Sequence, residues 1–141
     1  MTYEDAHITL ERYWAAFAAK DVEGAISNLT DDAVYEDRGI QHTVTGIDQI
    51  REFWKMYFQA AAQDFEAIRH TSVVDGNNYA MTWTVTFRVD GAFGPLQGTG
   101  QLINVEGVSV GEFRDGKIAR NSDVWNLDAV TKQLEQPAEV V

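Results

Sequence analysis

The chain has 141 residues, of which 45% are hydrophobic and 11% aromatic, and its formal net charge is −11. This length and composition fit one globular domain with a substantial core. The excess of acidic side chains makes nucleic acid and anionic membrane surfaces poor partners, because phosphate binding needs clustered Lys and Arg. The chain contains no cysteine, which excludes disulfides, thiolate catalysis and Cys-ligated metals. The sequence shows no long apolar run and no signal-like leader, so we expect a cytoplasmic protein.

The first half of the chain is predicted to be mainly helical. Apolar residues at helical spacing predict an amphipathic helix from about Tyr3 to Lys20, with Thr2 able to cap its start. Asp21 is expected to cap a short second helix, and a continuous apolar stripe predicts a third helix from about Ile47 to Gln63. A short strand, Asp32 to Asp37, lies between the second and third helices.

Strand patterns fill most of the second half. Turn signals separate four longer predicted strands, which cover about Glu66–Val74, Tyr79–Val89, Thr99–Phe113 and Lys117–Trp125. The glycine-containing segment Asp90–Gly98 is predicted to be a loop that forms a rim or lid. A short terminal helix is expected from about Leu127 to Leu134.

This order of elements predicts one α+β domain over residues 1–135, followed by a flexible tail over residues 136–141. We expect a cone in which three N-terminal helices pack in a strongly curved antiparallel sheet and enclose an aromatic-lined pocket. Aromatic side chains at helical spacing often form core, but in a cone the same residues can line a cavity.

Side-chain alternation points to two acidic residues. Tyr35 and Asp37 share one face of the short strand, and Asn121, Asp123 and Trp125 share one face of the last strand. A carboxylate beside aromatic rings on an inward face would be partly desolvated, which raises its pKa and suits it to proton transfer. The pattern alone favours a simpler interpretation, in which Asp37 opens a turn at Arg38-Gly39 and Asp123 is a surface acid near a sheet edge.

The segment ERYWAAFAAKDVEGAISNLTDDAVYEDRGIQHTVTGIDQIREFW resembles the ketosteroid isomerase branch of the nuclear transport factor 2-like superfamily. The segment TGQLINVEGVSVGEFRDGKIARNSDVWNLD resembles the C-terminal half of limonene epoxide hydrolase and of SnoaL-type polyketide cyclases, which belong to the same superfamily. Scytalone dehydratase is a further member. The resemblance implies the cone-shaped fold, but the superfamily hosts many reactions and non-catalytic members.

The resemblance also implies roles for single residues. Tyr13 matches the oxyanion-binding tyrosine of the isomerases, and Asp37 matches their carboxylate base. Asp123 matches the acid or base of the hydrolase and the cyclases, and Tyr35 matches a tyrosine that holds the attacking water in the hydrolase. The isomerases carry a second acid where this chain has Ser109, which puts steroid isomerisation in doubt.

Two further matches are weaker. His70 falls near a catalytic histidine of scytalone dehydratase, and Arg88-Val89-Asp90 has the letters of the hydrolase's Arg-x-Asp motif. Alternation turns Arg88 towards the less apolar face of its strand, however. Residues expected to contact the substrate are Trp14, Phe17, His42, Trp54, Tyr57, Trp83, Arg88, Asn121 and Trp125.

The leading interpretation is a cofactor-independent acid–base enzyme, a cyclase, lyase, dehydratase or isomerase, acting on a small hydrophobic cyclic or aromatic substrate. The alternatives are an epoxide hydrolase of the limonene type, a non-catalytic module that binds a small ligand, and a homodimeric scaffold. Three scattered histidines and the absence of a chelating motif predict no metal site, and no nucleotide-binding motif occurs. A homodimer is expected through the outer sheet face around Thr84 and Thr86.

Overall fold

A computed structural model gives the fold and describes residues 1–138. Helix α1 (Tyr3–Ala18) begins where Thr2 Oγ1 accepts a hydrogen bond from the Asp5 amide at 3.1 Å. The short helix α2 (Val22–Ile26) begins in the same way, because Asp21 Oδ1 accepts a hydrogen bond from the Gly24 amide at 3.0 Å. Both caps are therefore confirmed. Helix α3 (Ile47–Ala60) ends three residues before its predicted end.

Six strands form one curved, unclosed sheet against which four helices pack. The strands are β1 (Leu29–Asp37), β2 (His42–Thr45), β3 (Glu66–Asp75), β4 (Asn78–Phe93), β5 (Leu96–Arg114) and β6 (Lys117–Trp125), and helix α4 (Leu127–Leu134) follows them. The order across the sheet is β2-β1-β6-β5-β4-β3. All neighbours are antiparallel except β1 and β6, which run parallel. The predicted α+β fold class is confirmed.

Strand β2 was not predicted from the sequence. It has only four residues, and only Val44 among them is buried, so it offers no alternation long enough to indicate a strand. Its register pairs Asp37 with His42 and Tyr35 with Val44, which makes β2 the edge strand beside β1. Strand β1 itself begins at Leu29, three residues earlier than predicted.

The prediction of a loop over Asp90–Gly98 is wrong. The ladder between β4 and β5 continues through this segment to the pair Phe93 and Leu96, and only Gly94 and Pro95 form the turn. Gly94 has a φ of +56°, a conformation that favours glycine. The glycines that suggested a loop thus serve a tight hairpin end, and a register shift after Val89 lets the ladder continue.

The concave face of the sheet carries unusually small residues along its middle strand. On β5, Gly107, Ser109 and Gly111 lie between large side chains of β4 and β6; the three rows are Trp83–Gly107–Trp125, Met81–Ser109–Asp123 and Tyr79–Gly111–Asn121. A Cβ atom on Gly107 would lie 2.4 Å from the ring of Trp83, and one on Gly111 would lie 2.4 Å from the hydroxyl of Tyr79. The small residues therefore make room for the neighbouring rings.

The end of the described chain packs on strand β5. Gln101 Nε2 donates hydrogen bonds to the carbonyl oxygens of Leu134 at 3.0 Å and Gln136 at 2.8 Å. Of the predicted tail, residues 139–141 lie outside the described part of the chain. Within residues 1–138, no helix is both long enough and apolar enough to span a bilayer.

Candidate functional site

A cavity lies between helices α1, α3 and α4 and the concave face of the sheet. The empty space between its lining atoms, counted out to the open mouth and including solvent there, is about 660 Å³. Nine of its eighteen lining residues are aromatic, and none of the lining residues that the structure describes carries a positive charge. The lining consists of Tyr13, Trp14, Phe17, Tyr35, Asp37, Tyr57, Met81, Trp83, Val85, Phe87, Phe93, Leu96, Ile103, Val105, Ser109, Asp123, Trp125 and Val130.

Asp37 closes strand β1 and is only 9% exposed. Its Oδ1 atom accepts three hydrogen bonds, from the indole Nε1 of Trp125 at 2.7 Å and from the amides of Gly39 at 3.0 Å and Ile40 at 3.2 Å. Its Oδ2 atom accepts no hydrogen bond from any of residues 1–138. Asp37 thus opens the turn after β1, lines the cavity and has one carboxylate oxygen without a hydrogen bond from the described residues.

Asp123 lies beside Asp37, because the parallel register of β1 and β6 pairs the two positions. Its Oδ1 atom accepts hydrogen bonds from Ser109 Oγ at 2.5 Å and from Asn121 Nδ2 at 2.8 Å. Its Oδ2 atom accepts a short hydrogen bond from the hydroxyl of Tyr35. Three side-chain donors therefore hold Asp123, whereas Asp37 keeps one oxygen free.

Both carboxyl groups have raised pKa values. Burial raises the pKa of Asp37, and its hydrogen bonds with Ile40, Trp125 and Gly39 oppose this increase. Burial also raises the pKa of Asp123, its three side-chain hydrogen bonds oppose the increase, and the neighbouring charge of Asp37 adds to it. Ionisation of Asp37 therefore makes ionisation of Asp123 less favourable.

Tyrosine hydroxyls supply the other polar groups near the carboxylates. Burial raises the pKa of Tyr13 well above its usual value, and the charge of Asp123 raises it further. The same two causes raise the pKa of Tyr57. Both hydroxyls therefore stay protonated at neutral pH. Neither makes a hydrogen bond within the described part of the chain, so both are available as donors to a ligand.

Four side chains around Asp123 form the hydrogen-bond network that orients it. Asn121, which was predicted to contact the substrate, is 1% exposed and does not line the cavity. The hydroxyl of Tyr79 donates to Asn121 Oδ1 at 2.6 Å, and Trp83 Nε1 donates to Ser109 Oγ at 2.8 Å. Asn121 and Ser109 each pass a hydrogen bond on to the same oxygen of Asp123.

The predicted site residues are brought together only in part. The residues Asp37, Asp123, Tyr13, Tyr35, Trp14, Phe17, Tyr57, Trp83 and Trp125 all line the cavity. Trp54 does not line it: this residue is 1% exposed and packs in the core against Tyr13 and Tyr35, with ring centroids 5.9 and 5.4 Å away. The interpretation of Trp54 as a substrate contact is therefore corrected to a core residue.

Three other predicted residues do not line the cavity. His70 is exposed on the outer sheet face, on the same side of the alternation as Glu66 and Ile68, and its Nε2 lies 2.7 Å from Thr84 Oγ1. Such a position does not fit the catalytic role predicted for His70.

Arg88 also points outward, with Nε 2.6 Å from Asp64 Oδ2, as strand alternation indicated. His42 is exposed, and its ring stacks on Phe53 with centroids 5.3 Å apart. Neither residue lines the cavity, so neither contacts a ligand inside it. His42 is nevertheless the ladder partner of Asp37 and thus lies near the cavity mouth.

Several lining residues were not identified from the sequence. Phe93 and Leu96 come from the hairpin end that the sequence predicts to be a loop, and Val130 comes from α4. The sequence marks Ser109 only as the position at which the isomerases carry a second acid. Gly107, Ser109 and Gly111 share one face of β5, and Val108 and Val110 share the other. This alternation is the signal that could have placed Ser109 on the inner face.

Replacing Gly39 by alanine is expected to displace the indole of Trp125. An added Cβ would lie 2.0 Å from that ring, and the indole donates to Asp37. Overpacking of this kind costs about 1–3 kcal/mol, and tryptophan fluorescence should change with it. The control Gly76→Ala, with a φ of +59° and no atom near the added Cβ, should lower stability but leave the emission unchanged. Unaltered emission in Gly39→Ala would contradict the close packing of Gly39 and Trp125.

Comparisons with known proteins agree with this architecture. The sequence model of the SnoaL-like domain matches residues 10–121. A candidate SnoaL-like polyketide cyclase from Jannaschia sp. CCS1 is 20% identical, with a TM-score of 0.83 over 95% of this chain and 94% of that chain. A candidate polyketide cyclase from Xanthomonas campestris pv. campestris is 17% identical, with a TM-score of 0.80 over 94% of this chain and 98% of that chain.

A third structure, from Catenulispora acidiphila, has a ketosteroid isomerase-like fold and was obtained in complex with trimethylamine. It is 17% identical, with a TM-score of 0.77 over 94% of this chain and 96% of that chain. No curated protein matches the chain. At these sequence identities, the similarity to the solved structures shows the fold alone.

Proposed function

The chain belongs to the SnoaL-like domain family, and we propose that it is a cofactor-independent acid–base enzyme of the cyclase or lyase type. The observation that carries this proposal is the Asp37 carboxylate, which lines a largely aromatic cavity and has one oxygen that accepts no hydrogen bond from the described residues. A desolvated carboxylate with a raised pKa is a stronger base than one in water, provided that it is ionised.

In this mechanism Asp37 Oδ2 removes a proton from a carbon next to a carbonyl group. The negative charge moves to the carbonyl oxygen, where the hydroxyl of Tyr13 donates a hydrogen bond that strengthens as the charge develops. The resulting enolate can attack a second carbonyl group and close a ring, or expel a leaving group. Asp37 then returns the proton or passes it on.

The cavity restricts the substrate by charge as well as by shape. Aromatic walls favour a flat, largely hydrophobic molecule. Two carboxyl groups without a cation among the described lining residues disfavour an anionic substrate. The outward position of Arg88 removes the Arg-x-Asp pair from the cavity, so the structure lends no support to epoxide hydrolysis of the limonene type.

Proton exchange at carbon tests the proposal without the natural substrate. We would incubate the protein with 2-tetralone, a flat bicyclic ketone, in deuterium oxide and follow the loss of its α-proton signals by NMR. Wild-type protein is expected to accelerate exchange above the rate in buffer, and Asp37→Asn is expected to lose that acceleration. The matched control is Asp31→Asn, an exposed acid on the same strand, which should behave as wild type. Equal rates for wild type and Asp37→Asn would refute the proposal.

Tyr13→Phe should retain part of the activity. Its hydroxyl donates to the developing oxyanion, and removal of one such donor costs about 10²–10³-fold in other enzymes. A loss of roughly 10-fold or more in the exchange rate is expected, with little change in 2-tetralone affinity, because the hydrogen bond strengthens only as charge develops. Tyr3→Phe, an exposed tyrosine on the same helix, is the control. A change in affinity alone would show that Tyr13 only binds the ligand.

We further propose that the chain forms a homodimer through its outer sheet face. Large apolar side chains are exposed on this face, including Leu102, Val108, Val110 and Val124, and such exposure is typical of interaction sites. Analytical ultracentrifugation should give twice the monomer mass for wild type and a shift to monomer for Val108→Lys. A monomeric wild type at micromolar concentration would refute the dimer.

A further inference from the structure

The hydrogen bonds to Asp123 are divided unequally between its two oxygens. Oδ1 receives the Ser109 hydroxyl at 2.5 Å and the Asn121 amide at 2.8 Å, whereas Oδ2 receives only the hydroxyl of Tyr35. An amide N–H can only donate, so a proton on Oδ1 would point at another proton. When Asp123 is protonated, its proton therefore belongs on Oδ2, facing Tyr35.

The layer behind these donors fixes their direction. Trp83 Nε1 can only donate, so Ser109 Oγ accepts from it at 2.8 Å and has its own proton free for Asp123. Similarly, the Tyr79 hydroxyl donates to Asn121 Oδ1 at 2.6 Å, which turns the amide nitrogen of Asn121 towards Asp123. One tryptophan, Trp83, and one tyrosine, Tyr79, thus orient the two side chains that donate to Asp123 Oδ1.

We propose that Asp123 and Tyr35 form a two-state proton relay into the cavity, and that Ser109 and Asn121 are the positioning residues that keep its proton on Oδ2. In the charged state the Tyr35 hydroxyl donates to Asp123. In the neutral state Oδ2–H donates to the oxygen of Tyr35, and the hydroxyl proton of Tyr35 turns to the cavity. Tyr35 donates to a ligand only in the neutral state.

The role of the relay in catalysis rests on the proposed function. Each proton that leaves one group in the relay is taken up by another. The Tyr35 O–H bond breaks as an O–H bond forms on the substrate oxygen that carries the negative charge. The Asp123 Oδ2–H bond breaks as the Tyr35 O–H bond forms again. Asp123 ends as the anion, and Asp37 ends protonated by the carbon acid. A proton moving from Asp37 to Asp123, its ladder neighbour, restores the starting state without any further reactant.

Few titratable groups surround Asp123, and none of them is a base other than the carboxylate of Asp37. The titratable groups that face it are Asp37 and Tyr35 from β1, Tyr13 from α1, Tyr57 from α3 and Tyr79 from β4. All five are acids, and the tyrosines stay neutral over the accessible pH range because burial raises their pKa values. Only Asp37 competes with Asp123 for a proton.

Carbon NMR of protein labelled at the aspartate carboxyl carbon tests the positioning part without any substrate. Ser109→Ala removes one donor from the charged form, so the Asp123 titration midpoint should rise by about one pH unit. Ser122→Ala is the matched control, because Ser122 is equally buried on β6 and, by strand alternation, points to the opposite face from Asp123. An unchanged midpoint in folded Ser109→Ala would overturn the proposal.

A second variant covers the case in which Ser109→Ala does not fold. Tyr35→Phe removes the donor on Oδ2 and keeps the ring, so it should also raise the midpoint. In wild-type protein labelled at the tyrosine ring carbon that bears the hydroxyl, the Tyr35 signal should shift at the Asp123 midpoint, and Asp123→Asn should abolish this shift. A Tyr35 signal that ignores the titration of Asp123 would overturn the relay. These readouts do not depend on 2-tetralone exchange, so failure of the relay and failure of the proposed enzyme are distinguishable.

Discussion

Asp37→Asn is expected to slow the 2-tetralone exchange by about 10²–10⁴-fold, the usual contribution of a positioned general base. The substitution is nearly isosteric. The amide oxygen can still accept the three hydrogen bonds from Trp125, Gly39 and Ile40, so the turn after β1 should be preserved. The group placed at Oδ2, however, is an N–H donor that cannot take a proton. Loss of exchange with an unchanged circular dichroism spectrum is the expected outcome.

The same substitution should increase stability, and the gain should depend on pH. Burial raises the folded-state pKa of Asp37 above its unfolded value of about 3.9. The folded protein therefore binds the proton more tightly. The stability that this binding contributes is full below the unfolded pKa and is lost as pH rises through the folded pKa. Asparagine has no charged form, so it avoids the loss.

Thermal unfolding measured at two pH values checks this sign. At pH 8 the midpoint of Asp37→Asn should lie above that of wild type, whereas near pH 3 the two should differ much less because both side chains are neutral. Asp31→Asn, whose side chain is exposed, should show no such gain at pH 8. An equal gain at both pH values would mean that desolvation of the charge is not its cause.

Trp54→Ala is expected to give the largest loss of stability, about 3–5 kcal/mol. The indole is 1% exposed and touches Tyr13, Phe17 and Tyr35, so its removal leaves a hole between α1, α3 and β1. Denaturant unfolding measures the effect. Met56→Ala on the same helix removes a side chain that is 67% exposed and should change stability by less than about 0.5 kcal/mol.

The location of Trp54 also predicts what its loss should do to ligand binding. Because Trp54 lies behind the cavity wall, Trp54→Phe should bind 2-tetralone as wild type does, whereas Trp83→Phe, on the wall, should weaken binding. Equal weakening of 2-tetralone binding in both variants would indicate that Trp54 contacts the ligand.

Strand alternation placed Asp37 on the same face as Tyr35 and Asp123 on the same face as Trp125. A period of two is unambiguous once one apolar side of a strand is known, and Tyr35 and Trp125 supplied that side. The helix caps at Thr2 and Asp21 could also be predicted, because each depends on residues only three positions apart. Local pattern thus predicted most elements, whereas the resemblance supplied the reason to regard the two acids as a functional pair.

What could not be predicted depends on pairing between distant segments. His70 lies on the exposed side of β3 with Glu66 and Ile68, and the sequence does not reveal which side is exposed, because Ala67 and Arg69 on the other side are no more apolar. Asn121 shares the inward face with Asp123, but it does not line the cavity. The Tyr79 hydroxyl donates a hydrogen bond to its amide oxygen and holds it against the Asp123 carboxylate. The hairpin end at Gly94 and Pro95 was mistaken for a loop because turn residues do not reveal how tightly the flanking strands pair.

The parallel pairing of β1 with β6 has a consequence for the order in which the molecule can assemble. The two carboxylates belong to strands separated by most of the chain, and until β6 inserts, β1 has only the four-residue β2 beside it. Insertion closes a loop of about 80 residues, and contacts of such long range form late in folding. We therefore expect the acidic pair to be among the last features to form during refolding, so that the two carboxyl groups meet only after the rest of the sheet is in place.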